Sequence, residues 1–165
     1  MYFETLPKTF YSLDNGDTTQ IVTNIFLRFV FSDEIKNNLT LFELYDIVDG
    51  ETPEIVADKF YTRPEYHWVI LHLNDILDPR YDWPLSTYNL QRYCNSKYAN
   101  PYGIHHYIDT NGYIVNSNAP GATSVSNYQY EEALNESKRK IKILKSEYLK
   151  VVIDNYESSL GRLNG

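Results

Sequence analysis

Nucleophilic, metal and acid–base chemistry each need particular side chains at particular spacings. Cys94 lies in Gln91-Arg92-Tyr93-Cys94-Asn95, on an expected helix, with neither a nucleophile elbow nor a papain-like context, and reads as a structural thiol. His67 and His72 are five positions apart, about 140° around a helix, so they do not share a face. His105 and His106 are adjacent and are expected on opposite sides of a strand. Asp75, Asp78 and Asp82 share one loop, but the EF-hand spacing and its glycine are missing, so loop capping and turn formation are their expected roles. Glu51, Glu54 and Asp58 surround a helix start. Acid–base work would require them in a cleft with shifted pKa values; otherwise they are solvated partners of the helix dipole. The seven glycines are too scattered for a phosphate loop. No catalytic residue, metal or cofactor is expected. Lys138, Arg139, Lys140, Lys142 and Lys145 form a basic run that could meet nucleic acid, but it suits an acid-facing side of an assembly element whose stems cover apolar surface. Trp68 reads as core; Trp83 is equally suited to the core and to anchoring a partner.

The elements that must position these residues belong to a chain of 165 residues with 42% hydrophobic content and a formal charge of −7. That length suits one compact domain with an appendage, and the composition excludes wholesale disorder. An acidic chain is poorly suited to general nucleic-acid binding, which runs on phosphate neutralisation. One cysteine forbids an intrachain disulfide. The longest apolar run, Ile25–Phe31, is interrupted by Arg28 and is far short of a membrane span. The start, Met1 to Pro7, lacks the pattern of a signal peptide. Sixteen tyrosines stand beside seven phenylalanines and two tryptophans. Tyrosine joins large contact area to a polar tip, which suits surfaces that are wet before assembly and buried after it.

Along the chain, Asn15-Gly16 predicts a tight hairpin turn within an N-terminal extension, 1–40. Residues 24–31 fit a short helix or a buried strand equally. Leu41–Val48 reads as a strand ended by Asp49-Gly50. Thr52-Pro53-Glu54 then caps and starts a helix. A second helix, apolar nearly all round, runs from Pro64 to about Asn74. A loop leads to a short second strand near 83–85, and Ser86 caps a third helix from Thr87 to about Tyr98. This body, 41–98, precedes a segment, 99–127, in which His105–Asp109 and Gly112–Val115 form a hairpin and 116–127 have a linker's composition. No Gly or Pro interrupts Tyr128–Leu160, which predicts one helix of about 48 Å within 128–165. Leu134, Ile141, Leu144, Tyr148, Val151 and Val152 line one apolar stripe; Leu149, Ile153, Tyr156 and Leu160 line a second. Such a rod is too long for its own globule to cover, so it is expected to dock on partner helices, with Leu134, Ile141, Leu144, Tyr148, Val151, Val152 and Tyr156 as contacts. Folding back on its own body and self-association are the alternatives.

The stretch Gly50-Glu51-Thr52-Pro53-Glu54-Ile55-Val56-Ala57-Asp58-Lys59-Phe60-Tyr61, with Asn74 after the second helix, resembles the LysM signature, whose βααβ layout matches 41–85. Tyr45–Glu54, Arg63–Leu71, Asn74-Asp75 and Asp78–Ser86, with the start Tyr2–Pro7 and the tail Arg139–Ser146, are similar to the small LysM-like baseplate wedge subunit of contractile-tailed, T4-like bacteriophages. The resemblance implies an α+β fold: a LysM-like βααβ body, an N-terminal hairpin, a second small hairpin and a long C-terminal helix. It implies a non-enzymatic virion protein that joins neighbouring wedge subunits during tail assembly. The implied partners are other baseplate wedge proteins, including helical-bundle subunits, and further copies of itself; nucleic acid, membrane and small-molecule substrate are not implied. The implied place is the tail baseplate, reached through the host cytoplasm. The alternative is a peptidoglycan-binding module with a groove at Gly50, Glu51, Thr52, Pro53, Asn74, Ile76, Asp78 and Trp83. Pro53 stands where glycan-binding LysM domains usually carry an apolar residue such as Leu, which weakens that alternative.

Overall fold

The computed structural model describes residues 6–12, 14, 16, 18–25 and 30–163. Tyr2–Thr5 of the resembling start, Asn15 of the expected turn and 26–29 of the helix-or-strand segment lie outside the described residues. In chain order the elements are β1 (Lys8–Tyr11), β2 (Gln20–Thr23), α1 (Asp33–Asn37), β3 (Phe42–Asp46), α2 (Pro53–Tyr61), α3 (His67–Leu73), α4 (Pro79–Asp82), α5 (Thr87–Lys97), β4 (Ile104–Ile108), β5 (Ile114–Val115), β6 (Thr123–Ser126), α6 (Asn127–Glu136), β7 (Lys140–Leu144) and α7 (Ser146–Leu163). The class is α+β, with small hairpin sheets and a C-terminal helix, as expected. The chain forms two compact units that alternate in sequence. The first comprises 1–44, 52–79 and 142–165, the second 45–51 and 80–141.

In the first unit, β1 and β2 form the N-terminal hairpin, with Phe10 opposite Ile21 and Lys8 opposite Thr23. Gly16 takes φ +110° in its loop, a conformation that suits glycine. The Thr52 hydroxyl accepts from Ile55 N at 3.4 Å and Pro53 opens α2, as the capping pattern predicts. Buried Val56, Ala57 and Tyr61 give α2 its inner face, and Trp68, Val69, Ile70 and Leu73 do so for α3. Leu149, Val152, Tyr156 and Leu160 of α7 are buried at spacings of three and four, one stripe of a helix. The Tyr156 ring lies 4.9 Å from that of Trp68. Trp68 is therefore core.

Two expectations are corrected here. Residues 83–85 form no strand; β3 instead pairs with β7. Lys145 N donates to Leu41 O at 3.0 Å in the first unit, and Ile47 N to Arg139 O at 3.0 Å in the second, so the strands run antiparallel. The expected strand–helix–helix–strand unit over 41–85 is therefore not closed: the strand that pairs with β3 follows α4, α5, β4, β5, β6 and α6 in the chain. For the same reason the single helix over 128–160 does not exist. Lys140-Ile141-Lys142-Ile143-Leu144 alternates with period two, and pairing with β3 recruits it as a strand between α6 and an α7 of 18 residues, about 27 Å long.

In the second unit, β4 is the central strand of the order β5-β4-β6. The expected hairpin forms its β4–β5 half, closed by the Asp109 carboxylate accepting from Asn111 N and Tyr113 N at 2.8 and 2.9 Å. Thr123–Ser126, expected in a linker, is strand β6, paired with β4. Ser126 then opens α6 with a full capping box shared with Gln129. Ser86 caps α5 by accepting from Asn89 N at 3.3 Å. Trp83 is buried and its indole donates to Glu51 O at 2.8 Å.

Candidate functional site

The residues weighed for chemistry hold structural positions in the fold. Cys94 is fully buried, and burial pushes its thiol pKa up, the opposite of an activated nucleophile. The Glu51 carboxylate accepts from Tyr45 OH at 2.7 Å and Val48 N at 2.9 Å, tying down the turn that Gly50 makes at φ +81°. Burial raises the Glu54 pKa, but its own backbone N–H, the Thr52 hydroxyl and the charge of His67 bring it below the ordinary value, so it stays ionised at a helix start. Asp75 pairs with Lys36 in the first unit. Among the described residues no three His, Cys, Asp or Glu side chains are placed to share a metal.

The histidines 105 and 106 need correction. A register shift between Ile104 and His106 interrupts the β4–β6 ladder. A bulge breaks strict alternation, so both rings lie together, Nδ1 to Nδ1 at 2.8 Å. His105 stacks on Tyr130 at 4.0 Å and 9°.

The groove residues divide between the units. In the first, the Thr52 hydroxyl is the α2 cap, Pro53 is buried and Ile76 is 9% exposed. Asn74 there donates from Nδ2 to Lys142 O at 2.8 Å, while its Oδ1 accepts from Lys142 N at 2.7 Å. This side chain pairs with β7 as a neighbouring strand would. Asp78 precedes α4. In the second, Gly50 and Glu51 shape the turn and Trp83 is buried on the Glu51 carbonyl. The C-terminal contacts also separate. Ile141, Leu144, Val152 and Tyr156 are buried, Tyr148 is half-buried, and Leu134 and Val151 are exposed. A continuous apolar arm is therefore absent, because β7 and the inner face of α7 are covered by their own fold.

Sequence reasoning missed the polar centre of the second unit. A cleft of about 470 Å³ is lined by residues of α4, α5 and α6, among them Tyr81, Leu90, Tyr93 and Leu134. Its buried Glu131 accepts from Lys97 Nζ at 2.7 Å and Tyr98 OH at 2.6 Å. Burial raises the Glu131 pKa, but these two donors outweigh it and the net value falls below that of a free glutamate. Buried Asn135 accepts from Leu85 N at 2.7 Å and donates to Leu85 O at 2.9 Å. The available signal was spacing: Glu131 and Asn135 are four apart and share a helix face. Nearby, Arg139 grips both oxygens of Glu136 at 2.7 and 2.8 Å and donates to Ile47 O at 3.0 Å. Part of the basic run is thus internal scaffolding.

These features are a scaffold and a set of surfaces. One relative is the baseplate wedge protein gp53 of Enterobacteria phage T4, 29% identical over 115 residues; the match covers 67% of this chain and 58% of that protein. The chain therefore spans less than two thirds of its relative's length. The family model described as base plate wedge protein 53 matches residues 1–118, well over half of the chain, and the chain belongs to that family.

Proposed function

We propose that this chain is a non-enzymatic structural subunit of a phage tail baseplate wedge, which joins neighbouring wedge proteins by protein–protein contact during tail assembly. The family match over 1–118 carries the reading. The surface supports it. Phe10 and Ile21, opposite each other on the hairpin, are 74% and 64% exposed, and a two-stranded hairpin alone is marginal in water. Apolar pairs left bare on such an element suit a surface completed by a neighbour. Of the C-terminal residues, Leu134, Tyr148 and Val151 remain as partner contacts. The partners are other baseplate wedge proteins, including helical-bundle subunits, and further copies of this chain; the setting is the host cytoplasm during assembly and the virion afterwards.

The peptidoglycan alternative is disfavoured by the engagement of its groove. The Thr52 hydroxyl, the Asn74 amide and the Trp83 indole each bond within the fold, which removes the donors and platform a sugar would use. Mixing the chain with the other baseplate proteins and measuring complex size by light scattering tests the reading. A larger complex at defined stoichiometry is expected. Failure to associate, together with retention on insoluble peptidoglycan, would overturn it in favour of the glycan module.

A further inference from the structure

We infer that the cleft between α5 and α6, together with the adjoining outer face of α5, is a docking surface for an acidic protein segment bearing one bulky apolar anchor. The inference deepens the assembly reading and takes from it only that the occupant is a segment of a neighbouring subunit.

Shape and lining come first. The volume of about 470 Å³ lies within the range of sites that enclose an anchor side chain with some flanking backbone. Leu85, Leu90 and Leu134 supply apolar wall, and Tyr81 and Tyr93 supply aromatic wall. Leu134 is 44% exposed and Tyr81 72%, so the mouth is open. The floor is pre-organised, because the Glu131 and Asn135 bonds hold α6 to α5 and to Leu85 before any occupant arrives. Pre-organisation lowers the ordering cost of binding.

Charge then selects the occupant. Arg80, Lys97 and Lys138 line the cleft against one carboxylate, Glu131; Lys97 is paired with that carboxylate, so Arg80 and Lys138 give the lining its positive surplus, in a chain whose formal charge is −7. Helix α5 carries Arg92 and Lys97 and no acidic residue. The cations are interleaved with tyrosines: Arg80 over Tyr81 at 5.8 Å, Arg92 over Tyr88 at 5.8 Å and Lys97 over Tyr93 at 5.3 Å. Tyrosine and arginine are the residues over-represented where a few contacts carry most of an interface's energy. The positive rim complements carboxylates and the leucine wall complements an apolar anchor. A nucleic acid fits less well: a buried carboxylate lies in the wall, and the cations ring a cleft without forming the long groove that tracks a phosphate backbone.

The test uses the full chain and a short fluorescein-labelled peptide with a central Trp-Leu pair flanked by glutamates. Its counterpart is flanked by lysines, and a thymidine oligonucleotide serves as a third probe. Anisotropy should report binding of the glutamate peptide, weakening with added salt. Arg92→Glu, on the exposed side of α5, and Lys138→Glu should each raise Kd about tenfold, with circular dichroism unchanged for Arg92→Glu. Equal binding of the lysine peptide, an unchanged Kd in both variants, tighter binding of the oligonucleotide, or no binding of the glutamate peptide would overturn the inference. None of these results bears on association with whole baseplate proteins, which complex size measures separately.

Discussion

The first unit hides aliphatic side chains and a Trp68–Tyr156 contact, and what it leaves bare is largely aliphatic too: Ile21, Ile25, Val30, Leu39, Leu44 and Val151. The second buries a carboxylate and an amide, Glu131 and Asn135, and much of what it leaves bare is tyrosine: Tyr81, Tyr88, Tyr93, Tyr102 and Tyr113. One unit is held mainly by removal of apolar area from water, the other also by polar groups that must be satisfied in place. Apolar burial is non-directional and tolerates approximate packing, whereas a buried polar network is specific and fails sharply when one member is lost. The two kinds of bare surface differ accordingly. Aliphatic patches offer affinity with little orientation, while tyrosines beside arginine and lysine offer oriented contacts.

Substitutions can break or sharpen this contrast. Leu144→Asp places a charge at a site 1% exposed. It should cost more than about 3 kcal/mol and unfold the first unit, seen as a lost transition in urea denaturation. A folded Leu144→Asp chain would refute the apolar account. Asn135→Ala leaves the Leu85 N–H and carbonyl without partners and should cost about 1–3 kcal/mol, with exchange of the Leu85 amide speeding up by the corresponding factor. Acid should separate the units next. The folded pKa of Glu131 lies below its unfolded value, so its contribution is present above the unfolded carboxylate pKa of about 4.3. That contribution is lost as pH falls through the folded value. Acid titration followed by amide exchange should loosen α5 and α6 over that window, and Glu131→Gln should remove the pH dependence while lowering stability at neutral pH. Val151→Asp, on the exposed side of α7, should change stability by no more than about 0.5 kcal/mol; loss of complex formation by this folded variant would mark Val151 as a partner contact. The smallest effect belongs to the hairpin loop. Hydrogen bonds from Thr18 and Ser12 depress the exposed Asp14 to about 2, so the loop should stay ordered below pH 4 and loosen toward pH 2, and Asp14→Asn should erase that step in the Thr18 amide chemical shift.

Local chemistry was readable wherever it was self-contained. Thr52-Pro53 and Ser86 announce helix starts because an N-cap bond closes within three residues. The Asp109 to Tyr113 turn is readable for the same reason. Trp68 could be placed in the core because α3 is apolar nearly all round. Lys140–Leu144 carries a strand's alternation, but five such residues inside a long run without Gly or Pro are outweighed by the helical spacing of the apolar residues on either side. Its partner, β3, lies about a hundred residues earlier. His105 and His106 were misplaced because strict alternation holds only while the ladder register is unbroken, and the bulge belongs to the β4–β6 pairing. The polar centre at Glu131 went unrecognised because its donors, Lys97 and Tyr98, sit at the end of a different helix.

Bonds that close within a turn or two of the backbone thus follow from neighbouring residues: the caps of α2 and α5 and the turn from Asp109 to Tyr113. Whether 140–144 joins a helix or a sheet, which C-terminal apolar residues stay exposed, and where a glutamate becomes buried and paired were settled by groups distant along the chain. Local order carries its own hydrogen bonds, whereas strand pairing and buried polar networks acquire theirs only once remote segments meet.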